Sequence, residues 1–172
     1  MKKMDVIEAI TTRRSIRKFT GEPISDSELD IILRAGFQSP SAHNRQPWEF
    51  IVIKDKSRFE ALAKVHKYAQ MTLQAGACII VCGNTDIQEL TGFLIEDCSA
   101  SIQNILLASH GIGLGAVWVG LYPITEHTNN ISNMFSLPSN IIPVGMVVIG
   151  RKGEVKDMDD RFDVDKVHYE TW

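Results

Sequence analysis

Apolar residues recur along this chain at two periods, and their alternation predicts an ordered series of helices and strands. Val6, Ile7 and Ile10 form a helical stripe behind Asp5 and Glu8, whose spacing has the form of a capping box. The stripe ends by Thr11 or Arg13, so a first helix delivers its carboxyl end to Arg13. Ser25 and Glu28 repeat the capping signature before Leu29, Ile32, Leu33 and Phe37. That second helix stops at Ser39-Pro40, because a residue preceding proline resists helical geometry. Glu49 to Lys54 is rich in β-branched and aromatic residues and predicts a strand; Asp55 then caps a short helix carrying Phe59, Leu62 and Val65. A second strand is predicted at Ala77 to Gly83. From about Thr85 to His110 a long helical period runs through Leu90, Phe93, Leu94, Ile102, Ile105 and Leu106, with Gly111 as its stop. Ala116 to Val119 and Ile142 to Ile149 predict two further strands around a helix near Ile124 to Phe135, and the tail after Gly150 is charged and irregular.

No segment is low in complexity and none recurs with the period of a solenoid, which predicts one domain over residues 1–172. At 172 residues, a domain buries about 70% of the surface of its unfolded chain and needs no disulfide or zinc staple. The balance of 18 basic and 21 acidic side chains, net −3, lacks the basic face of a general nucleic-acid binder. Nucleic acid is not an expected partner. Met1-Lys2-Lys3-Met4-Asp5 reaches an acid where a signal peptide would continue into an apolar stretch, which predicts no export signal. The longest apolar runs, Ala77 to Cys82 and Met146 to Ile149, fall far short of the roughly 20 residues of a membrane span. Cys78, Cys82 and Cys98 are odd in number and lack the two-residue gap of zinc or thioredoxin motifs, so buried reduced thiols in a cytoplasmic protein are expected.

Three segments stand out chemically. Arg13-Arg14-Ser15-Ile16-Arg17-Lys18 packs four cations and a hydroxyl between a helix and Phe19 in an acidic chain. A guanidinium fork matches phosphate oxygens, although a solvated basic face accounts for such a cluster equally well. Ser39 to Trp48 is a polar loop bracketed by Pro40 and Pro47, in which Ser41, Asn44 and Gln46 offer donors and acceptors to a heteroaromatic edge; ordinary turn chemistry is the competing explanation. Gly111 to Gly120 suggests a dinucleotide fingerprint, but that motif needs a strand before the glycines and a helix after them, the reverse of the order here. Helix termination explains most of these glycines, and Gly120 lets a backbone amide approach a ligand.

Taken together and in order, these motifs resemble the flavin-dependent nitroreductase family. The resemblance covers nearly the whole chain: Arg-Arg-Ser-Ile-Arg-Lys-Phe, then Pro-Ser-Ala-His-Asn-Arg-Gln-Pro-Trp-Glu-Phe, Gly-Leu-Gly leading into Trp-Val-Gly, and a tail of Asp-Arg-Phe with Val-His-Tyr-Glu-Thr-Trp. It implies an α+β fold, a mixed, mainly antiparallel central sheet flanked by helices in a three-layer sandwich. It also implies an obligate homodimer with FMN at the interface. Carried over by position, Arg13 resembles a phosphate or ribityl ligand with Arg14 and Ser15 as companions, and Arg17 a cation beside the flavin's N1 and O2 edge. Pro40, Ser41, Asn44 and Gln46 resemble the loop that meets the ring from the partner subunit. Trp118, Val119 and Gly120 match the segment along the ring, with the Gly120 amide as donor to N5. Arg161 matches a late phosphate contact, and Arg151 a helper.

The implied activity takes hydride from NADH or NADPH onto flavin N5 and reduces a second, flat, electron-poor molecule such as a nitroaromatic or quinone. Catalysis then rests on Arg17 and the Gly120 backbone, because the flavin carries the reaction and the protein supplies position and charge. A reductive dehalogenase or flavin-fragmenting relative of the same fold, or a flavin-binding module without turnover, are the alternatives. The chain departs from longer relatives at Asn84 to Glu89, where they insert helices, and this implies a more open pocket. His66, His110, His127 and His168 show no metal-ligand spacing and are expected to be structural; no metal is expected.

Overall fold

The computed structural model describes residues 4–158 and 160–172; Met1 to Lys3, on which part of the export-signal expectation rests, lie outside them. The central sheet has the order β1-β2-β4-β3, formed by β1 (Trp48–Ile53), β2 (Ala77–Asn84), β3 (Gly115–Gly120) and β4 (Ile141–Gly150). All three pairings are antiparallel. The parallel component of the expected mixed sheet is confined to an isolated bridge between Ser15 and Ala116.

The period of two in the inner strands divides the core. Ala77, Ile79 and Val81 of β2, with Val147 and Ile149 of β4, face one cluster; Cys78, Ile80 and Cys82, with Met146 and Val148, face the other. Strands covered on both faces read as unbroken apolar runs, which is why these two segments had no polar face to show. The first cluster is filled by α2 (Asp26–Phe37) and α4 (Thr91–Gly111), through Leu29, Ile32, Leu94, Ile102 and Ile105. The second is filled by α3 (Lys56–Val65) and α5 (Thr125–Phe135), through Phe59, Leu62 and Ile131. Helices therefore lie on both sides of the sheet, as in the three-layer sandwich that the family resemblance implied. All three cysteines are free and buried.

Local chemistry sets the boundaries. Ser25 and Glu28 form the full reciprocal capping box of α2, and Asp55 caps α3 by accepting from the Ser57 amide. Asp5 caps α1 (Val6–Thr12) by accepting from Ile7. The long helix is shorter than its apolar period: it starts at Thr91, not near Thr85. Asn84 folds the intervening residues into a turn, its side chain taking the Asp86 amide and its carbonyl the amides of Ile87 and Gln88. At the other end Gly111 is still helical, and Gly113, at φ +91°, makes the stop. The amides of Gly113 and Leu114 there return to the carbonyls of His110 and Ser109, a Schellman closure that needs a left-handed residue. Among the described residues no helix is long and apolar enough to cross a membrane.

Candidate functional site

Beyond α1 the chain runs extended beside the free edge of β3. The Ile16 amide donates to the Ala116 carbonyl (3.0 Å) and Ile16 is buried in the second core cluster. With Ile16 turned inward, Arg13, Arg14, Ser15 and Arg17 line a cavity of about 620 Å³ together with Val155, Lys156, Asp157 and Arg161. The tail is fastened over this cradle at several points. Arg14 Nε donates to the Asp157 carbonyl (3.0 Å), Lys156 Nζ to the Ser15 carbonyl (2.8 Å), and Glu154 accepts the amides of Arg17 and Lys18. Arg13, Arg17 and Arg161 make no ion pair among the described residues. Burial, then the neighbouring Arg161 and Arg14, hold the Arg13 guanidinium below its ordinary pKa. Such crowding of like charge is relieved by an anion with several oxygens.

Arg17 also lines a second cavity, of about 460 Å³, which follows β3 and is walled by residues 66–71 and the start of α5. Because the Ala116 carbonyl points away from β4, the period of two turns the amides and carbonyls of Trp118 and Gly120 outward as well. Their backbone thus faces this cavity. Among the described residues nothing comes within 4 Å of the place where a Gly120 Cβ would stand. Trp118 lies across Gly145, where any Cβ would collide with its indole nitrogen.

Two histidines meet in the same wall. His66, 2% exposed at the end of α3, places Nε2 3.1 Å from Nδ1 of His127 on α5, and its Nδ1 accepts the Tyr68 amide (3.2 Å). Burial first, and then His127, hold His66 below the ordinary histidine value, with the Gly120 backbone opposing them.

The loop at residues 39–46 lies elsewhere. Its Ala42 amide donates to Asp97 of α4 (2.8 Å), Ser41 Oγ accepts the Gln46 amide (2.9 Å), and Gln46 Nε2 donates to Asn44 Oδ1 (3.2 Å). His43, Asn44 and Gln46 all have positive φ, an uncommon state that these bonds hold in place. The cradle, by contrast, is tied to the far end of α4, where His110 Nε2 meets Thr12 Oγ1 at 2.8 Å. From Asp97 to His110 the helix rises about 20 Å.

Residues 10–77 and 63–151 match the Nitroreductase family. The chain belongs to that family. A protein of Methanothermobacter thermautotrophicus named "Putative NADH dehydrogenase/NAD(P)H nitroreductase" is 42% identical over 170 residues, 99% of this chain and 89% of its own length. Two solved structures superpose over nearly the whole fold. An FMN-dependent nitroreductase from Clostridium difficile gives a TM-score of 0.89 at 26% identity, covering 96% of this chain and 99% of its own. A "putative nitroreductase" from Desulfovibrio desulfuricans in complex with FMN gives 0.86 at 30% identity, covering 99% of both chains.

Within this nitroreductase-family chain, the structure brings eight of the twelve sequence-derived positions into two cavities that share Arg17, and leaves the other four in one loop. Arg13, Arg14, Ser15, Arg17 and Arg161 share the cradle, although about 150 positions separate the first from the last. Arg17, Trp118, Val119 and Gly120 share the β3 cavity. Pro40, Ser41, Asn44 and Gln46 sit together but join neither group within one chain. Arg151 is outside the cradle, because both its Nη atoms are engaged by Glu28 at 2.7 and 3.0 Å. The His66–His127 pair was missed: 61 positions separate the two residues, and no local spacing announces them.

Proposed function

We propose that this chain is an FMN-dependent oxidoreductase that passes electrons from NADH or NADPH to a flat, electron-poor acceptor, a nitroaromatic or a quinone. The observation that carries this reading is the cradle in which Arg13, Arg17 and Arg161 make no ion pair among the described residues, opening through Arg17 into a cavity lined by outward-facing backbone. Arg13, Arg161 and the Ser15 hydroxyl suit a phosphate, and Arg14 braces the tail that carries Arg161 toward them. Arg17, placed where the cavities meet, supplies a fixed positive charge beside a ring edge that becomes negative on reduction. The outward Gly120 amide is the donor for the ring nitrogen that receives hydride. Bound FMN supplies two-electron chemistry that no side chain of this site offers.

In this reading the site is completed by a second copy of the chain. Pro40, Ser41, Asn44 and Gln46 are held in a preformed loop too far from the cradle of their own chain to share a ligand with it. A partner's loop fills that role. The purified protein should therefore be yellow, release FMN on denaturation, and bleach under anaerobic NADH or NADPH. A colourless protein that takes up no added FMN overturns the reading, and a yellow protein bleached by neither nicotinamide removes the oxidoreductase part of it.

A further inference from the structure

We propose that His127 donates a hydrogen bond to an electron-accepting oxygen of the flat molecule in the β3 cavity, and that His66 is the positioning residue that sets its tautomer. This rests on the oxidoreductase reading above, but its observations are independent of the cation cradle. The two rings form a hydrogen-bond chain whose direction follows from one backbone group. The Tyr68 amide points at His66 Nδ1, so that nitrogen holds a lone pair and Nε2 carries the proton. His66 Nε2–H in turn faces His127 Nδ1, which must then accept, leaving the His127 proton on Nε2. His127 Nε2–H has no partner among the described residues, and His127 lines the cavity beside Val119 and Gly120.

The surroundings favour the neutral pair. A further proton would set two N–H groups against each other across the ring contact, or oppose the Tyr68 amide. Arg17 and Lys67 are the charged residues that line the cavity, both cationic, and no carboxylate lines it. Lys67 Nζ sits over the Tyr68 ring, 4.7 Å from its centroid, and Glu126, the chain neighbour of His127, is exposed and outside the lining. A neutral imidazole N–H does not surrender its proton at ordinary pH, but its hydrogen bond strengthens as the oxygen it meets gains charge. For a quinone the step balances simply. A hydride equivalent from the reduced flavin of that reading adds to one carbonyl oxygen, the other oxygen, facing His127, takes the negative charge, and a proton from water completes the hydroquinone. The imidazole is unchanged at the end. The oxygen with this chemistry belongs either to the acceptor or to a carbonyl of the flavin itself.

The test uses 15N-histidine-labelled protein with its FMN, then variants. Two-bond 1H–15N spectra at pH 7.5 are expected to show both rings neutral and protonated on Nε2; a cationic ring, or an Nδ1–H tautomer at either position, overturns the proposal. His127→Phe is expected to lower kcat/KM for 1,4-benzoquinone by about 10- to 100-fold while flavin reduction by NADH keeps its rate, if the acceptor is the partner. If the flavin carbonyl is the partner, the same variant lowers the FMN midpoint potential. His127→Gln, which keeps an N–H donor, should recover most of either loss. A His127→Phe protein with unchanged kcat/KM and unchanged potential overturns the proposal. A chain that binds no FMN fails the functional reading instead, and the ring tautomers are still read on it.

Discussion

Arg13 and Arg161 illustrate how far a single side chain's surroundings can be read as a binding preference. Arg14 and Arg151 are also guanidiniums in this region, yet the first is bonded to the carbonyls of Thr11, Arg13 and Asp157 and the second to Glu28. Those two are structural, whereas Arg13 and Arg161 repel one another across a cavity and make no ion pair among the described residues. Their removal should therefore cost the fold little and the ligand much. In the double variant Arg13→Ala, Arg161→Ala, two charge-assisted bonds worth about 1.5–3 kcal/mol each are lost, so the Kd for FMN should rise by at least tenfold per residue. Fluorescence titration of the flavin-free protein measures this, with the unfolding midpoint as control. An unchanged Kd would reassign the cradle to another anion.

At the level of elements, boundaries set by side-chain capping were legible and those set by competing turns were not. Ser25–Glu28 and Asp55 announce α2 and α3 because a cap is a local bond between residues two or three apart. The start of α4 was misplaced because Leu90 continues the apolar period, while the bonds that fold Thr85 to Leu90 into a turn come from Asn84 and Gln88. The cradle was legible for a related reason, Arg13, Arg14, Ser15 and Arg17 falling within five consecutive positions. The β3 cavity was only half legible, since Gly120 stood in a recognisable motif but its histidine wall is assembled from α3 and α5. Glu28 shows how a cap can also join elements: it completes the box of α2 and pairs with Arg151 just past β4. The Arg151 guanidinium, foremost, and the Ser25 amide pull its pKa down to about 2 from 4.5. The folded state thus holds this proton less tightly than the unfolded state, so the stabilisation is complete above pH 4.5 and fades as pH falls toward about 2. Glu28→Gln should cost about 1–2 kcal/mol at pH 7, after allowance for solvent screening, with the gap to wild type closing over that window. Urea midpoints measured from pH 7 to 2.5 decide it, and a gap independent of pH would assign the stabilisation to the neutral cap alone.

For the whole molecule, the apolar surface that one chain leaves uncovered argues for a second copy. The stripe that predicts α1 is real, yet Val6, Ile7 and Ile10 are 64%, 63% and 51% exposed, and only Ala9 of that helix is buried. The tail adds Phe162, Val164, Tyr169 and Trp172, all exposed, along a segment with no strand pairing. Surface of this kind, on two elements at once, marks an interaction site more often than a solvated face. The preformed loop at residues 41–46 makes the same demand from the side of the ligand, because its own cradle lies about 20 Å away along α4. A symmetric pair of chains, as proposed above, would answer both, each burying apolar surface against the other and each lending its loop to the other's cradle. Sedimentation equilibrium should then give twice the 19.2 kDa of the chain, with one FMN per chain. Val6→Glu with Ile10→Glu places charges on positions that are exposed in one chain and so leaves its core intact. In a pair that buries α1 the same charges would fall in the interface, and mass and bound FMN should drop together. A variant that halves in mass but keeps its FMN would show that each chain completes its own site, and a wild-type protein sedimenting at 19.2 kDa would remove the second copy altogether.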